Sequence, residues 1–179
     1  MPAKKSAVRH IRGRYEARGK RFALVVSRFN EYLTSQLLDG AIDTLERHGA
    51  RSKDLLVVHV PGALEIPLAV QRLLAKKSWD AVITLAVVIR GKTKHFNQVV
   101  VETAKGVRQA SLAHDTPVIL GVIPAETALD AIERVGLKQM NKGREWALSA
   151  IEMADVARKL KGIAVKNVKR KAKSYGVTS

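Results

Sequence analysis

Residues 87–96 read Val-Val-Ile-Arg-Gly-Lys-Thr-Lys-His-Phe, an apolar run ending abruptly in a loop with Arg90, Gly91, Lys92, Thr93, Lys94 and His95. Each of these types has a use in handling an anion. The missing Cβ of Gly91 lets a phosphate approach main-chain N–H groups closely. A Lys or Arg supplies counter-charge, and His95 can move protons near neutral pH. A basic turn without a ligand has the same composition, so the meaning of the loop rests on what converges with it.

The elements that position this loop are legible in the hydrophobic pattern. Four short apolar runs rich in β-branched residues, at 22–27, 55–60, 81–88 and 118–123, fit strands buried on both faces of a parallel sheet. Helical periodicity separates them. Leu33, Leu37, Leu38, Ala41, Ile42 and Leu45 form one face, closed by Gly49 as a C-cap; Ile66, Ala69, Val70, Leu73 and Leu74 form a second. Val100, Ala104, Val107 and Ser111 form a third, followed by a short helical stretch at 127–135 and a longer one at 144–160. The order βαβαβαβαα predicts a three-layer αβα sandwich on a four-stranded parallel sheet.

In such sheets ligands bind beyond the carboxyl ends of the strands. Four segments leave the predicted strands there: Arg28-Phe29-Asn30, Pro61-Gly62-Ala63-Leu64-Glu65, the loop from Arg90 to His95, and Pro124-Ala125-Glu126. Each residue also has an ordinary structural use. Phe29 fits a core, Glu65 complements a helix dipole, and Arg134 does the same at a helix end. Trp79 and Trp146 read as packing residues, and Asn141-Lys142-Gly143 reads as a turn. His10, His48, His59 and His114 show no metal-ligand spacing. Convergence of the four segments carries more weight than any one of them.

Composition bounds the rest. A chain of 179 residues, nearly half of them apolar, is one ordinary domain with a full core. The absence of cysteine excludes a disulfide framework and thiolate metal sites, and suits a cytoplasmic protein. No apolar run has the length of a membrane span, and no secretory signal is evident; the Arg-rich start lacks the apolar face of a transit peptide. The net charge of +16 is uneven: residues 1–20 hold seven Lys/Arg and one acid, and residues 158–179 hold eight Lys/Arg and none. The body at 21–160 is therefore nearly neutral, between basic tails at 1–20 and 161–179 that read as flexible. Solubilising tails and polyanion-binding tails both fit this charge. The only aromatics in the tails are Tyr15 and Tyr175, which leaves little scope for base stacking.

Six blocks occur in an order and spacing that is diagnostic when taken together. They are Ser27-Arg28-Phe29-Asn30, residues 61–67 (PGALEIP), residues 88–96 (VIRGKTKHF), residues 131–136 (AIERVG), Asn141-Lys142-Gly143, and residues 147–154 (ALSAIEMA). Over residues 21–160 the chain resembles the 6,7-dimethyl-8-ribityllumazine synthases of riboflavin biosynthesis. The resemblance implies their flavodoxin-like fold and a cofactor-free, metal-free condensation. In it, 5-amino-6-(D-ribitylamino)uracil and 3,4-dihydroxy-2-butanone 4-phosphate give 6,7-dimethyl-8-ribityllumazine, phosphate and water. By position it makes His95 the proton-transfer residue and puts Lys92, Thr93 and Arg134 on the phosphate, Arg134 from a neighbouring subunit. It places Phe29 against the pyrimidine, with Ala63, Leu64, Glu65, Val87, Val88, Ile89 and Leu120 along the ring and ribityl chain.

The resemblance also implies pentamers with active sites between subunits, a 60-subunit shell in many members, and riboflavin synthase as an associated protein. Some positions depart from the family pattern. Leu64 and Leu120 stand where aromatics are usual, Asn97 where an acid is usual, and Lys92 and Lys94 where neutral residues are usual. A weakly catalytic, shell-forming scaffold whose basic tails bind RNA is the alternative from another class. The intact set of Phe29, Thr93, His95 and Arg134 argues against it.

Overall fold

The computed structural model describes residues 8–76, 78–91, 95–136 and 141–174, the stretch 164–174 by its backbone alone. Strands β1 (Phe22–Ser27), β2 (Leu55–Val60), β3 (Ala81–Ile89) and β4 (Val118–Ala125) alternate with helices α1 (Glu31–Arg47), α2 (Ile66–Lys76), α3 (His95–Ala113), α4 (Ala128–Arg134) and α5 (Lys142–Ser174). The strands pair in parallel in the order β2-β1-β3-β4. This is the αβα sandwich that the alternating pattern predicts.

Successive side chains of a strand point to opposite faces, and the two core clusters follow that alternation. Phe22, Leu24 and Val26 of β1 and Ala81, Ile83, Leu85 and Val87 of β3 pack with α1 and α5. Ala23 and Val25 of β1 and Val82, Ala86 and Val88 of β3 pack with α2 and α3. Central strands β1 and β3 are thus buried on both sides, as expected. The edge strands differ from the expectation. Leu56 on β2 and Leu120 on β4 are exposed, because each strand has a neighbour on one side only.

Close approach of backbone explains two glycines. A Cβ on Gly143 would lie 2.0 Å from the Leu37 carbonyl oxygen, so α5 can meet α1 here only without a side chain. A Cβ on Gly121 would meet the Thr84 carbonyl at 2.0 Å and the ring of Trp146 at 2.7 Å. Trp146 therefore covers β4 as a packing residue, as its sequence context suggests.

Within the N-terminal basic stretch, residues 12–20 are fastened to the body. Ala17, within the stretch expected to be a flexible tail, is fully buried in the α1–α5 core, and its N–H donates to the His48 carbonyl at 2.8 Å. The Arg14 N–H donates to Asp155 Oδ2 at 3.0 Å, and Lys159 Nζ donates to the Arg12 carbonyl at 2.7 Å. Asp155, only 1% exposed, also receives Arg158 and Lys159. These donors, Lys159 first, hold its carboxyl far below the usual carboxylate range. A buried acid facing backbone N–H and cations is what fastens the N-terminal segment to α5. At the other end α5 continues past 160 to Ser174.

Candidate active site

The exits of β1 and β2 are tied together. Arg28 N–H donates to the Val60 carbonyl at 2.8 Å, and Phe29 N–H to the Pro61 carbonyl at 3.1 Å. Ser27 Oγ also accepts from Phe29 N–H, at 3.1 Å. Asn30 then turns the chain into α1 with φ 59° and ψ 44°, a left-handed conformation that Asn tolerates better than most residues. Its Nδ2 donates to the Val87 carbonyl at 2.9 Å, linking this turn to β3. The backbone around Phe29 is therefore fixed, yet the residue is 66% exposed. Phe29 is thus a held, solvent-facing aromatic and not the core filler that its type suggests.

After β2, Pro61-Gly62 leads into a tight turn at Ala63–Glu65. Ala63 is buried, Leu64 is 50% exposed, and Glu65 is exposed. A Cβ at Gly62 would stand 2.9 Å from Glu65 Oε2, so glycine leaves the room in which this carboxylate lies.

Val87 and Val88 are buried at the end of β3, and Ile89 is half-buried. His95 is the first residue of α3 and is exposed, whereas the sequence pattern places it in the preceding loop. Phe96 beside it is buried in the α2–α3 core and anchors the helix start. Lys92, Thr93 and Lys94 lie outside the described residues.

Arg90 does something the sequence did not reveal. The register pairs Ile89 with Ala125, so Arg90 and Glu126 leave the sheet side by side. Arg90 Nε donates to Glu126 Oε2, and Nη2 donates to Oε1 at 3.0 Å. The guanidinium carbon lies 4.2 Å from the centre of the Phe96 ring, Nη2 reaches Asn97 Oδ1 at 3.4 Å, and Arg90 N–H donates to the Ala125 carbonyl at 2.9 Å. Hydrogen bonding to Arg90 lowers the Glu126 carboxyl below its usual range and raises Arg90 above its own. The charge of Arg90 is thus matched within the protein, and the pair joins the β3 and β4 exits next to His95. In the sequence Glu126 reads only as part of a strand exit. The missing signal was the register, which alone sets these opposite charges side by side.

Beyond β4, Thr127 caps α4 reciprocally with Asp130, and Arg134 at the far end of α4 donates from Nη1 to the Asp130 carbonyl at 2.9 Å. Asn141 is more than a turn residue: its Nδ2 donates to the Gln36 carbonyl at 2.7 Å, and it packs among Gly40, Gly136 and Gly143.

A family model for 6,7-dimethyl-8-ribityllumazine synthase matches residues 19–158. The chain belongs to that family. Among curated proteins it is similar to the 6,7-dimethyl-8-ribityllumazine synthase of Desulfotalea psychrophila (strain LSv54 / DSM 12343). The two are 51% identical over 146 residues, which is 82% of this chain and 94% of the relative. As a lumazine synthase family member, the chain is a transferase of riboflavin biosynthesis.

Among the residues expected to serve a lumazine synthase site, one protomer gathers Phe29, Ala63, Leu64, Glu65, Val87, Val88, Ile89 and His95 at the carboxyl edge of the sheet. Leu120 is elsewhere. It lies five residues before the end of β4, about 17 Å back along the strand at the usual rise, and is 42% exposed. Arg134 is exposed at the end of α4 farther from β4.

Proposed function

We propose that the carboxyl edge described above condenses 5-amino-6-(D-ribitylamino)uracil with 3,4-dihydroxy-2-butanone 4-phosphate, releasing phosphate and water. The product is 6,7-dimethyl-8-ribityllumazine, the penultimate intermediate of riboflavin biosynthesis. Phe29 stacks on the pyrimidine. Ala63, Leu64 and Glu65, with the end of β3 from Val87 to Ile89, line the ring and ribityl chain. The primary amine of the uracil attacks the ketone, and an imine forms with loss of one water. Once phosphate has left and the enol has become a ketone, the ribitylamino nitrogen attacks that carbonyl and a second water is lost as the ring closes. His95 moves the proton needed as phosphate leaves, a task that suits an imidazole at neutral pH. Lys92, Thr93 and Arg134 hold the phosphate and stabilise its departing charge. Holding both substrates at one edge removes much of the entropic barrier.

The observation that carries this reading is the division of the residue set within a protomer. Phe29, Leu64, Glu65 and His95 are exposed at one edge, and condensation with loss of water is favoured in a covered site. A second surface must therefore close over them. Leu120 on the edge strand and Arg134 on α4 are free to supply that surface to a neighbouring protomer. On this reading the site lies between subunits, and the family resemblance implies a pentamer that can pack further into a shell with riboflavin synthase as an associated protein. The protein acts in the cytoplasm. A chain without cysteine, with no helix among the described residues long and apolar enough to cross a membrane, suits that place.

Mixed assembly tests the shared site. His95→Ala and Arg134→Ala subunits are each expected to be nearly inactive. Co-assembled at equal amounts in a closed ring, they should restore about a quarter of the sites. Activity no higher than that of the separate variants would place both residues in one subunit and overturn the reading.

A further inference from the structure

The two basic stretches, at opposite ends of the sequence, meet in space. Lys159 reaches the Arg12 carbonyl, the Arg14 N–H reaches Asp155, and Gly13 lies against Glu152 so tightly that a Cβ would stand 2.4 Å from its carbonyl oxygen. Arg12 and Arg14 therefore lie beside Arg158 and Lys159 on α5, Arg9 precedes them and Arg18 follows in the same segment, and Arg9, Arg12, Arg14, Arg18, Arg158 and Lys161 are all exposed. The nearby acids offset them only in part. Asp155 is buried under the seam, Glu152 accepts from the Tyr15 hydroxyl at 3.3 Å, Glu16 accepts from Arg18 N–H at 3.1 Å, and Asp115 pairs with Lys161 at 3.3 Å. From Lys161 the α5 backbone runs on to Ser174, about 20 Å at helical rise. Along that stretch the sequence carries Lys166, Lys169, Arg170, Lys171 and Lys173 and no acid.

We infer that this seam is a binding face for the phosphodiester backbone of nucleic acid, read without sequence specificity. Three features favour a ligand over a merely solvated surface. The exposed cations between residues 8 and 19 are all arginines, whose planar fork matches phosphate geometry. They sit on a segment already fastened to α5, so less ordering remains to be done on binding. Like charges set this close disfavour the compact state, a cost that a polyanion relieves. The scarcity of aromatics on the face leaves phosphate contact, not base stacking, as the source of affinity.

The test is fluorescence anisotropy of a labelled 30-nucleotide single-stranded RNA and a 30-base-pair DNA duplex with the intact protein at 50 to 200 mM salt. About six neutralised phosphates per protomer predict a log–log salt slope of about −4 on RNA, a roughly 300-fold loss of affinity across that range. R9Q/R12Q/R14Q should weaken binding at least tenfold, reduce the slope by about 2, and leave lumazine formation unchanged. K166Q/K169Q/K171Q should weaken it comparably. Absence of binding to either nucleic acid at 50 mM salt overturns the inference. So does equal displacement by poly-glutamate, or loss of binding in the helix variant with none in the arginine variant. Turnover measured alongside separates these outcomes from any failure of the enzymatic reading.

Discussion

Asp155→Ala removes the acceptor on which the N-terminal segment hangs. The carboxylate is 1% exposed and receives three donors: the Arg14 N–H, Arg158 Nη2 and Lys159 Nζ. Hydrogen bonds to a charged group contribute about 1.5–3 kcal/mol each where the partners stay dry, but Arg158 and Arg14 regain water on release. Burying the carboxylate also had a desolvation cost that the variant no longer bears. The net loss is about 2–3 kcal/mol, or roughly 5–10 °C in Tm for a chain of this length. Lys20 sharpens the effect: burial already lowers its pKa, and the charge of Asp155 opposes that shift. Because the folded Asp155 carboxyl ionises at lower pH than the unfolded one, its contribution is complete above the ordinary carboxylate range. It fades as pH falls through that range, from about pH 5 downward. Urea denaturation of wild type and variant should therefore differ most near neutrality and converge in acid. Trypsin should cut the variant faster at Arg12 and Arg14. A Tm shift under 1 °C at pH 7, or unchanged proteolysis, would refute the fastening of residues 12–20 by Asp155.

Other consequences are accessible to simple assays. Phe29→Ala should raise KM for the pyrimidine substrate about tenfold, from lost stacking and area, while Tm stays within 1 °C because the ring is already exposed. Glu126→Ala should leave stability nearly unchanged, as expected for an exposed pair, but lower kcat by about tenfold as Arg90 loses its place beside Phe96. Glu126→Asp should recover part of that rate. Gly143→Ala forces α5 away from the Leu37 carbonyl and should cost about 2–3 kcal/mol by calorimetry.

What the sequence made legible was whatever depends on local pattern. Continuous runs in β1 and β3 are buried on both faces because two helical layers cover them, and the exits of all four strands lie where parallel topology puts them. Edge exposure of Leu56 and Leu120 could not be read, since strand order follows from pairing rather than composition. The same limit hid the Arg90–Glu126 pair, whose partners are 36 residues apart and meet only through register. At residues 12–20 charge alone was a poor guide. A basic segment that reads as a flexible tail is held by one buried acid, Asp155, which in sequence is an ordinary helix residue. His95 lies at the start of α3 rather than before it, because Phe96 anchors the first turn in the core.

The most direct test of the central claim is the rate of lumazine formation by purified protein given both substrates, compared with His95→Ala at equal subunit concentration. The account predicts clear acceleration over buffer for the intact protein. It predicts a loss of at least about 100-fold in kcat for the variant, the range for removing a positioned acid–base group. An intact protein no faster than buffer, or a His95→Ala variant as fast as wild type, would contradict it.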